Sequence, residues 1–293
     1  MAIQIKPLHP VFSAEFSGID LRQTLTPEQI EQIDRAMDQY AVLVFPEQAL
    51  SDAQQLAFAK SLGPLENTPA VVDAGLKRLK HSEMVDISNL DVDGSILAAD
   101  DRRRMFNLGN RLWHSDSSFK ATPAQYSMLH ARVIPPEGGE TEFADMRFAW
   151  DRLPDAMKSK IERLVCDHSL IYSRALLGFD DFTDDEKRAF APVPQRLVRR
   201  HPGSNRKCIY LSSHIGQVHG WPRPEALALI RDLMEHATQK EFVYSHAWRE
   251  NDLVIWDNRC TMHRGRAYDD KQYKRDMRRL TLEDYAPTLE QAF

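Results

Sequence analysis

Apolar positions in the first third of the chain fall at helical spacing and then in a continuous run. Ile30, Ile33 and Met37 follow Thr26-Pro27-Glu28 at intervals of three and four, so they share one helix face. The Thr is a capping residue, the Pro suits a first turn, and the Glu complements the positive helix end. Ala41-Val42-Leu43-Val44-Phe45 predicts a short buried strand. Ser51-Asp52 opens a second helix, which Gly63 is expected to end. From about residue 66 to 104 the pattern turns irregular, polar and charged. Such a stretch inside a compact chain reads either as an active-site lid or as a surface excursion without a role. Strand-like runs then accumulate at Ala124–Val133, Lys207–Ser212, Glu241–Trp248, Leu253–Trp256 and Met277–Leu282, with helical interruptions near Arg147–Cys166 and Pro224–Gln239. Turn-forming runs such as Pro135-Pro136-Glu137-Gly138-Gly139 and Glu250-Asn251-Asp252 separate them. The expected fold is mainly β with flanking helices, of antiparallel sandwich or jelly-roll type. With no internal repeat and no low-complexity linker, residues 1–293 are expected to form a single domain with its lid at about 66–104.

Composition narrows the function classes. Apolar residues make up 42% and charged residues 28% of the 293, and the formal charge is −5. That is ordinary globular composition, without the basic face a nucleic-acid partner needs. Arg102-Arg103-Arg104 is the one short basic cluster and is expected in a solvated loop. The three cysteines, Cys166, Cys208 and Cys260, match no zinc spacing and make a poor disulfide framework, so they are expected to be reduced thiols in a cytoplasmic protein. The first residues contain no apolar core of a signal peptide, and no apolar run has the length of a membrane span. No nucleic-acid or membrane partner is expected.

The candidate chemistry starts at Trp113-His114-Ser115-Asp116. On a strand or its end, His114 and Asp116 point the same way, placing an imidazole beside a carboxylate. These are two of the three ligands of a facial triad, which leaves iron(II) with open positions. Alone, the pair is a weak signal that often occurs by chance, and His114 then reads as a hydrogen-bonded loop histidine. A third ligand is available in His263, just beyond the apolar run Leu253–Trp256 and expected near a strand end. Arg275 and Arg279 then share a face of the next strand. Two inward guanidiniums are costly without anions, and the arginine fork suits carboxylates. Arg278, on the opposite face, is expected to be a solvated strand end.

The order His-x-Asp, a long interval, Trp256-Asp257-Asn258-Arg259 through His263, and an Arg about a dozen residues later resembles the taurine dioxygenase family of iron(II)/2-oxoglutarate oxygenases. The resemblance covers nearly the whole chain. It is nearest the 2,4-dichlorophenoxyacetate (aryloxyalkanoate) dioxygenase group, on Leu112–Phe119, on Gly138-Gly139-Glu140-Thr141 through Arg147, and on Asp257–Arg266. It implies a double-stranded β-helix (jelly-roll) core. It also implies that His114, Asp116 and His263 bind Fe(II), while Thr141 and Arg275 bind the distal carboxylate of the cosubstrate 2-oxoglutarate. Arg279 would lie near the cosubstrate's metal-binding end and meet the substrate. Trp256 matches an aromatic wall beside the cosubstrate, or plain core, and Asn110 a polar residue on the substrate side. His214 is a further substrate-side candidate. The arginine spacing is one residue longer than usual, which puts Lys274 at the strict count. Arg275 is preferred because the following Asp-Met-Arg-Arg fits the family only in that register. The implied reaction uses O2 and 2-oxoglutarate to hydroxylate the carbon next to the ether oxygen of an aryloxyacetate-type acid. Its products are a phenol, glyoxylate, succinate and CO2. The substrate is a small acidic molecule; sulfonates, sulfate esters and other small carboxylates are the alternatives, and a homo-oligomer is expected. The same His-Asp-His set would also suit a zinc hydrolase, which does not explain the paired arginines, and the β-rich pattern a sugar- or effector-binding barrel with no metal chemistry.

Overall fold

The computed structural model describes residues 2–66 and 78–293. Part of the expected lid, 67–77, lies outside the described residues. Fifteen strands and eight α-helices occur among the described residues. Seven strands form the largest sheet. In spatial order they are β1 (Gln4–Pro7), β2 (Ala14–Ser17), β3 (Val42–Phe45), β13 (Leu253–Asp257), β5 (Ala124–Val133), β15 (Asp276–Glu283) and β4 (Val85–Ser88). Neighbours run antiparallel, except β2 with β3. A second sheet orders β12 (Val243–His246), β6 (Thr141–Asp145) and β14 (Thr261–Gly265). A third orders β11 (Ile215–Val218), β7 (Val165–His168) and β8 (Val193–Arg196), and β9 (Val198–Arg200) pairs with β10 (Lys207–Ile209).

The apolar run of β3 is continuous because both faces of the large sheet are buried. Leu43 and Phe45 pack with Met128, Leu253, Ile255 and Leu280 against Ile33, Met37 and Phe58 of α1 (Pro27–Tyr40) and α2 (Asp52–Leu62). Val42 and Val44 pack on the other face with Leu129, Ala131, Val254, Trp256 and Met277, against Phe143 of β6. The two helices are held at their N-termini by reciprocal caps. Thr26 Oγ1 accepts from Gln29 N at 3.3 Å while Gln29 Oε1 accepts from Thr26 N at 2.9 Å, and Ser51 and Gln54 repeat the arrangement. Each such cap is worth about 1 kcal/mol. The far face of the second sheet, with Ala144 and Met262, is covered by α4 (Met146–Asp151) and α8 (Arg223–Ala237).

Several expectations change. The helical stretch expected at Arg147–Cys166 is α4, then α5 (Asp155–Ile161), with Val165 and Cys166 already in β7. Pro154 disfavours helical backbone at Leu153, which separates the two helices. The strand expected at Lys207–Ser212 stops at Ile209, and Glu241 and Phe242 form a 3-10 turn ahead of β12. The basic cluster is not a solvated loop. Arg102, Arg103 and Arg104 open the short helix α3 (Arg102–Asn107) and pair with Glu186 at 2.8 Å, Asp101 at 2.8 Å and Asp270 at 2.6 Å. Arg278 is also no solvated strand end. Its side chain is 11% exposed and pairs with Asp276. Cys166, Cys208 and Cys260 are free and buried. Among the described residues no helix is long and apolar enough to cross a membrane.

Candidate metal centre and adjoining cavities

Residues 113–116 are not a strand; a single antiparallel bridge joins His114 to His263 within β14. His114 N donates to His263 O at 3.0 Å and His263 N to His114 O at 2.8 Å. This pairing brings the two imidazoles to a centroid separation of 4.2 Å. His263 therefore sits inside a strand, where sequence spacing alone had suggested a strand end. Asp116 completes the group. Its carboxylate oxygens lie 3.8 Å from His114 Nε2 and 3.7 Å from His263 Nε2.

These three groups are buried, and their protonation states favour a cation between them. Burial lowers the proton affinity of both imidazoles, with Asp116 only partly opposing it. His114 Nδ1 is 2.7 Å from Leu112 O, so a neutral ring donates there and leaves the Nε2 lone pair facing Asp116. Burial would push the Asp116 carboxyl up, but the Arg279 guanidinium and the two imidazoles outweigh it and hold it below the usual range. Two imidazole lone pairs and an anion thus converge, all acceptors, an arrangement that suits a divalent metal.

The carboxylate is held from every side. Arg279 Nη1 donates to Oδ1 at 2.7 Å, and Ser127 Oγ to Oδ2 at 2.8 Å. Asp116 N donates to Asn258 Oδ1 at 3.0 Å, which also accepts from Trp256 Nε1 at 3.1 Å, while Asn258 Nδ2 donates to Ser127 Oγ at 2.9 Å. Strand register explains the cluster. Ser127 pairs with Trp256 on one side and Thr281 on the other, and Arg279 lies two residues from Thr281, so all point to the same face. The turn between β13 and β14 is fixed by Asp257, which accepts from Arg259 Nη2 at 2.6 Å and contacts His201 Nε2 at 2.8 Å.

His114, Asp116 and Arg279 open onto a cavity of about 330 Å³, lined also by Asn110 and His214. His214 Nδ1 is 2.9 Å from Ser173 Oγ, and burial keeps its imidazole neutral. Phe106, Phe119, Phe190 and Leu170 add apolar lining, with Leu79, Met84, Leu90 and Leu97 from the expected lid. Arg275 lies apart, beside a second cavity of about 100 Å³ that it shares with Asn110, Arg111 and Tyr268. Burial pulls its guanidinium down to about 10, while Lys274 is exposed. A side-chain carbon at Gly139 would sit 3.6 Å from Arg275 Nε, and Gly139 has φ +74°. Thr141 Oγ1 accepts from Trp248 Nε1 at 3.0 Å and lines neither cavity. Trp256 lines neither as well; it is core, 1% exposed, packed 4.6 Å from the His263 ring.

Sequence reading missed Ser127, the role of Asn258, and the phenylalanine wall. Asn258 lay in plain view within the Trp256–His263 run, and strand parity would have placed Ser127 once the register was known.

Comparison with known proteins adds independent likeness. The family model "Taurine catabolism dioxygenase TauD, TfdA family" matches residues 4–281. An alpha-ketoglutarate-dependent 2,4-dichlorophenoxyacetate dioxygenase of Cupriavidus pinatubonensis is 47% identical over 286 residues, covering 98% of this chain and 99% of the relative. An (S)-phenoxypropionate/alpha-ketoglutarate-dioxygenase of Sphingobium herbicidovorans is 36% identical, covering 92% and 91%. The crystal structure of AAD-2 in complex with Mn(II) and N-oxalylglycine superposes with a TM-score of 0.91 at 53% identity, covering 99% of this chain and 100% of that one.

Proposed function

The chain belongs to the TauD, TfdA family of taurine catabolism dioxygenases, and from that premise we propose that it is an Fe(II)- and 2-oxoglutarate-dependent dioxygenase acting on an aryloxyacetate-type acid. One observation carries the reading. Three candidate metal ligands converge, and two of them, His114 and Asp116, line a cavity that is also lined by Phe106, Phe119 and Phe190. An apolar, aromatic wall facing a few polar groups is what a small aromatic acid requires. The relatives named for phenoxy acids support it.

In this reading His114, Asp116 and His263 hold the iron, which supplies oxygen activation coupled to oxidative decarboxylation of 2-oxoglutarate. Arg275 and Thr141 hold the far carboxylate of the cosubstrate, and Arg279 orients Asp116 at the seam between cosubstrate and substrate. Asn110 and His214 line the substrate side. The phenylalanine wall excludes water and aims the carbon beside the ether oxygen at the metal. One oxygen atom enters that carbon and the other enters succinate, with loss of CO2. The hydroxylated carbon is a hemiacetal that splits to a phenol and glyoxylate. The large sheet and its facing partner form a double-stranded β-helix, residues 1–293 act as one oxygenase domain, and the described part of the lid, 78–104, roofs the cavity.

The test is a panel of aryloxyacetates, arylacetates, taurine and alkyl sulfates, supplied with Fe(II), 2-oxoglutarate and O2. Phenol and succinate released in equal amounts from an aryloxyacetate is the expected result. Succinate formed with taurine or an alkyl sulfate, and with no aryloxyacetate, would overturn the substrate class. Turnover independent of O2 and 2-oxoglutarate with Zn(II) would overturn the chemistry.

A further inference from the structure

Five arginine and lysine side chains line the larger cavity: Arg78, Arg103, Lys120, Arg174 and Arg279. Four of them are neutralised by carboxylates. Arg78 pairs with Asp86 at 2.7 Å and Asp276 at 2.6 Å, Arg103 with Asp101 at 2.8 Å, Lys120 with Glu66 at 2.7 Å and Arg279 with Asp116 at 2.7 Å. Arg174, in the short helix α6 (Leu170–Ala175), has no carboxylate partner among the described residues. Yet it is only 5% exposed.

Its guanidinium is held by neutral groups alone. Nη1 donates to Ser173 Oγ at 3.0 Å, and the central carbon lies 4.4 Å from the centroid of Phe106. Gly109 packs beside it so closely that a side-chain carbon there would fall 2.1 Å from Nη1. Nε is buried without a partner among the described residues. Burial and the charge of Arg279 pull the group down to about 10, so it remains cationic at neutral pH. An uncompensated buried charge is costly, and a carboxylate placed side-on against a guanidinium edge relieves that cost with two parallel bonds. Arg279 also has an unpartnered Nε, but unlike Arg174 it is paired with a carboxylate, that of Asp116.

We propose that Arg174 anchors the acid group of the substrate, through the guanidinium edge that carries its unpartnered Nε. This rests on the dioxygenase reading above. Phe106 and Ser173 fix the plane of the fork, and Gly109 leaves it room. An aryloxy acid held there turns its ring toward Phe119 and Phe190 and presents the carbon between ether and carboxylate to the centre. Arg174 lines the same cavity as His114 and His214.

The experiment compares wild type with Arg174→Gln, Arg174→Lys and Gly109→Ala, each checked for an unchanged melting profile. Phenoxyacetate and its uncharged analogue phenoxyacetamide are the probes, with KM and the phenol-to-succinate ratio as readouts. Arg174→Gln should raise KM for phenoxyacetate on the order of a hundredfold, the scale of truncating a buried charged partner. It should leave KM for 2-oxoglutarate and for phenoxyacetamide unchanged, and succinate should form without matching phenol. Arg174→Lys should recover part of the loss. Gly109→Ala, which keeps the charge but displaces the fork, should reproduce it. An unchanged KM for phenoxyacetate in Arg174→Gln would overturn the assignment while leaving the reaction standing. If wild type consumes another acid of the panel and no aryloxyacetate, the substrate reading fails separately. The same comparison is then made with that acid, and an unchanged KM for it overturns the anchor.

Discussion

The metal centre and the aromatic wall of the larger cavity are built on different principles. At the metal centre, Arg279, Ser127 and Asn258 hold Asp116 by directed hydrogen bonds, the first two from strand positions set by β-register. At the aromatic wall, Phe106, Phe119 and Phe190 join an edge-to-face cluster with Phe179 and Phe182, and most of them come from short helices and loops distant in sequence. The centre is rigid because hydrogen bonds fix direction. The wall is shaped by apolar contact, which tolerates exchange of volume. The difference separates chemistry from selectivity. A change at the centre should abolish reaction with every substrate, whereas a change at the wall should redistribute preference among them.

The sharpest way to break this division is His263→Ala. Two remaining ligands hold iron(II) poorly, so turnover should fall below detection and iron should not stay with the protein through gel filtration. Retained activity would remove the proposed centre altogether. A smaller effect is expected one layer out. Asn258→Ala frees both Asp116 N and Ser127 Oγ, and loss of such a supporting bond typically costs about 10- to 100-fold in metal affinity. Competition with a chelator measures it, and an unchanged affinity would mean that Arg279 and Ser127 suffice. The smallest effect belongs to the wall. Phe119→Ala should raise KM for an aryloxy acid about tenfold, the scale of a modest change in an apolar pocket, with metal affinity and KM for 2-oxoglutarate unaltered. A loss of metal in that variant would show that centre and wall are not independent.

The same division governs how much the sequence discloses. His114, Asp116 and His263 lie in short, residue-rich motifs, because ligand geometry demands particular side chains at fixed offsets. The choice of Arg275 over Lys274 follows from the motif register, and the buried guanidinium of Arg275 beside an exposed Lys274 is compatible with it. The helices α1 and α2 are legible down to their capping residues, because caps are local chemistry. The wall is not legible. Phe119 and Phe190 have no shared periodicity, and nothing in Leu170–Ala175 marks Arg174 as lacking an acid partner. The fates of Arg102, Arg103 and Arg104 depend partly on acids as distant as Glu186 and Asp270, so their charges look solvated in sequence and are half-buried in the fold. The strand β4 escaped notice because its few residues, with Asp86 tied to Arg78, carry too little apolar pattern.

The backbone bridge between His114 and His263 has a consequence for how the protein is made. Its two partners are separated by half of the chain, so a ribosome-bound nascent chain that lacks β14 can offer at most two of the three ligands. Stray cations met during synthesis therefore find no complete cage. The large sheet places β13 between β3 and β5, so the strand that precedes β14 is itself held by pairings distant in sequence. Long-range pairings of this kind form slowly. If His114, Asp116 and His263 hold the metal as proposed, the site is complete only once β14 has paired, and binding the metal then contributes to holding the finished protein together.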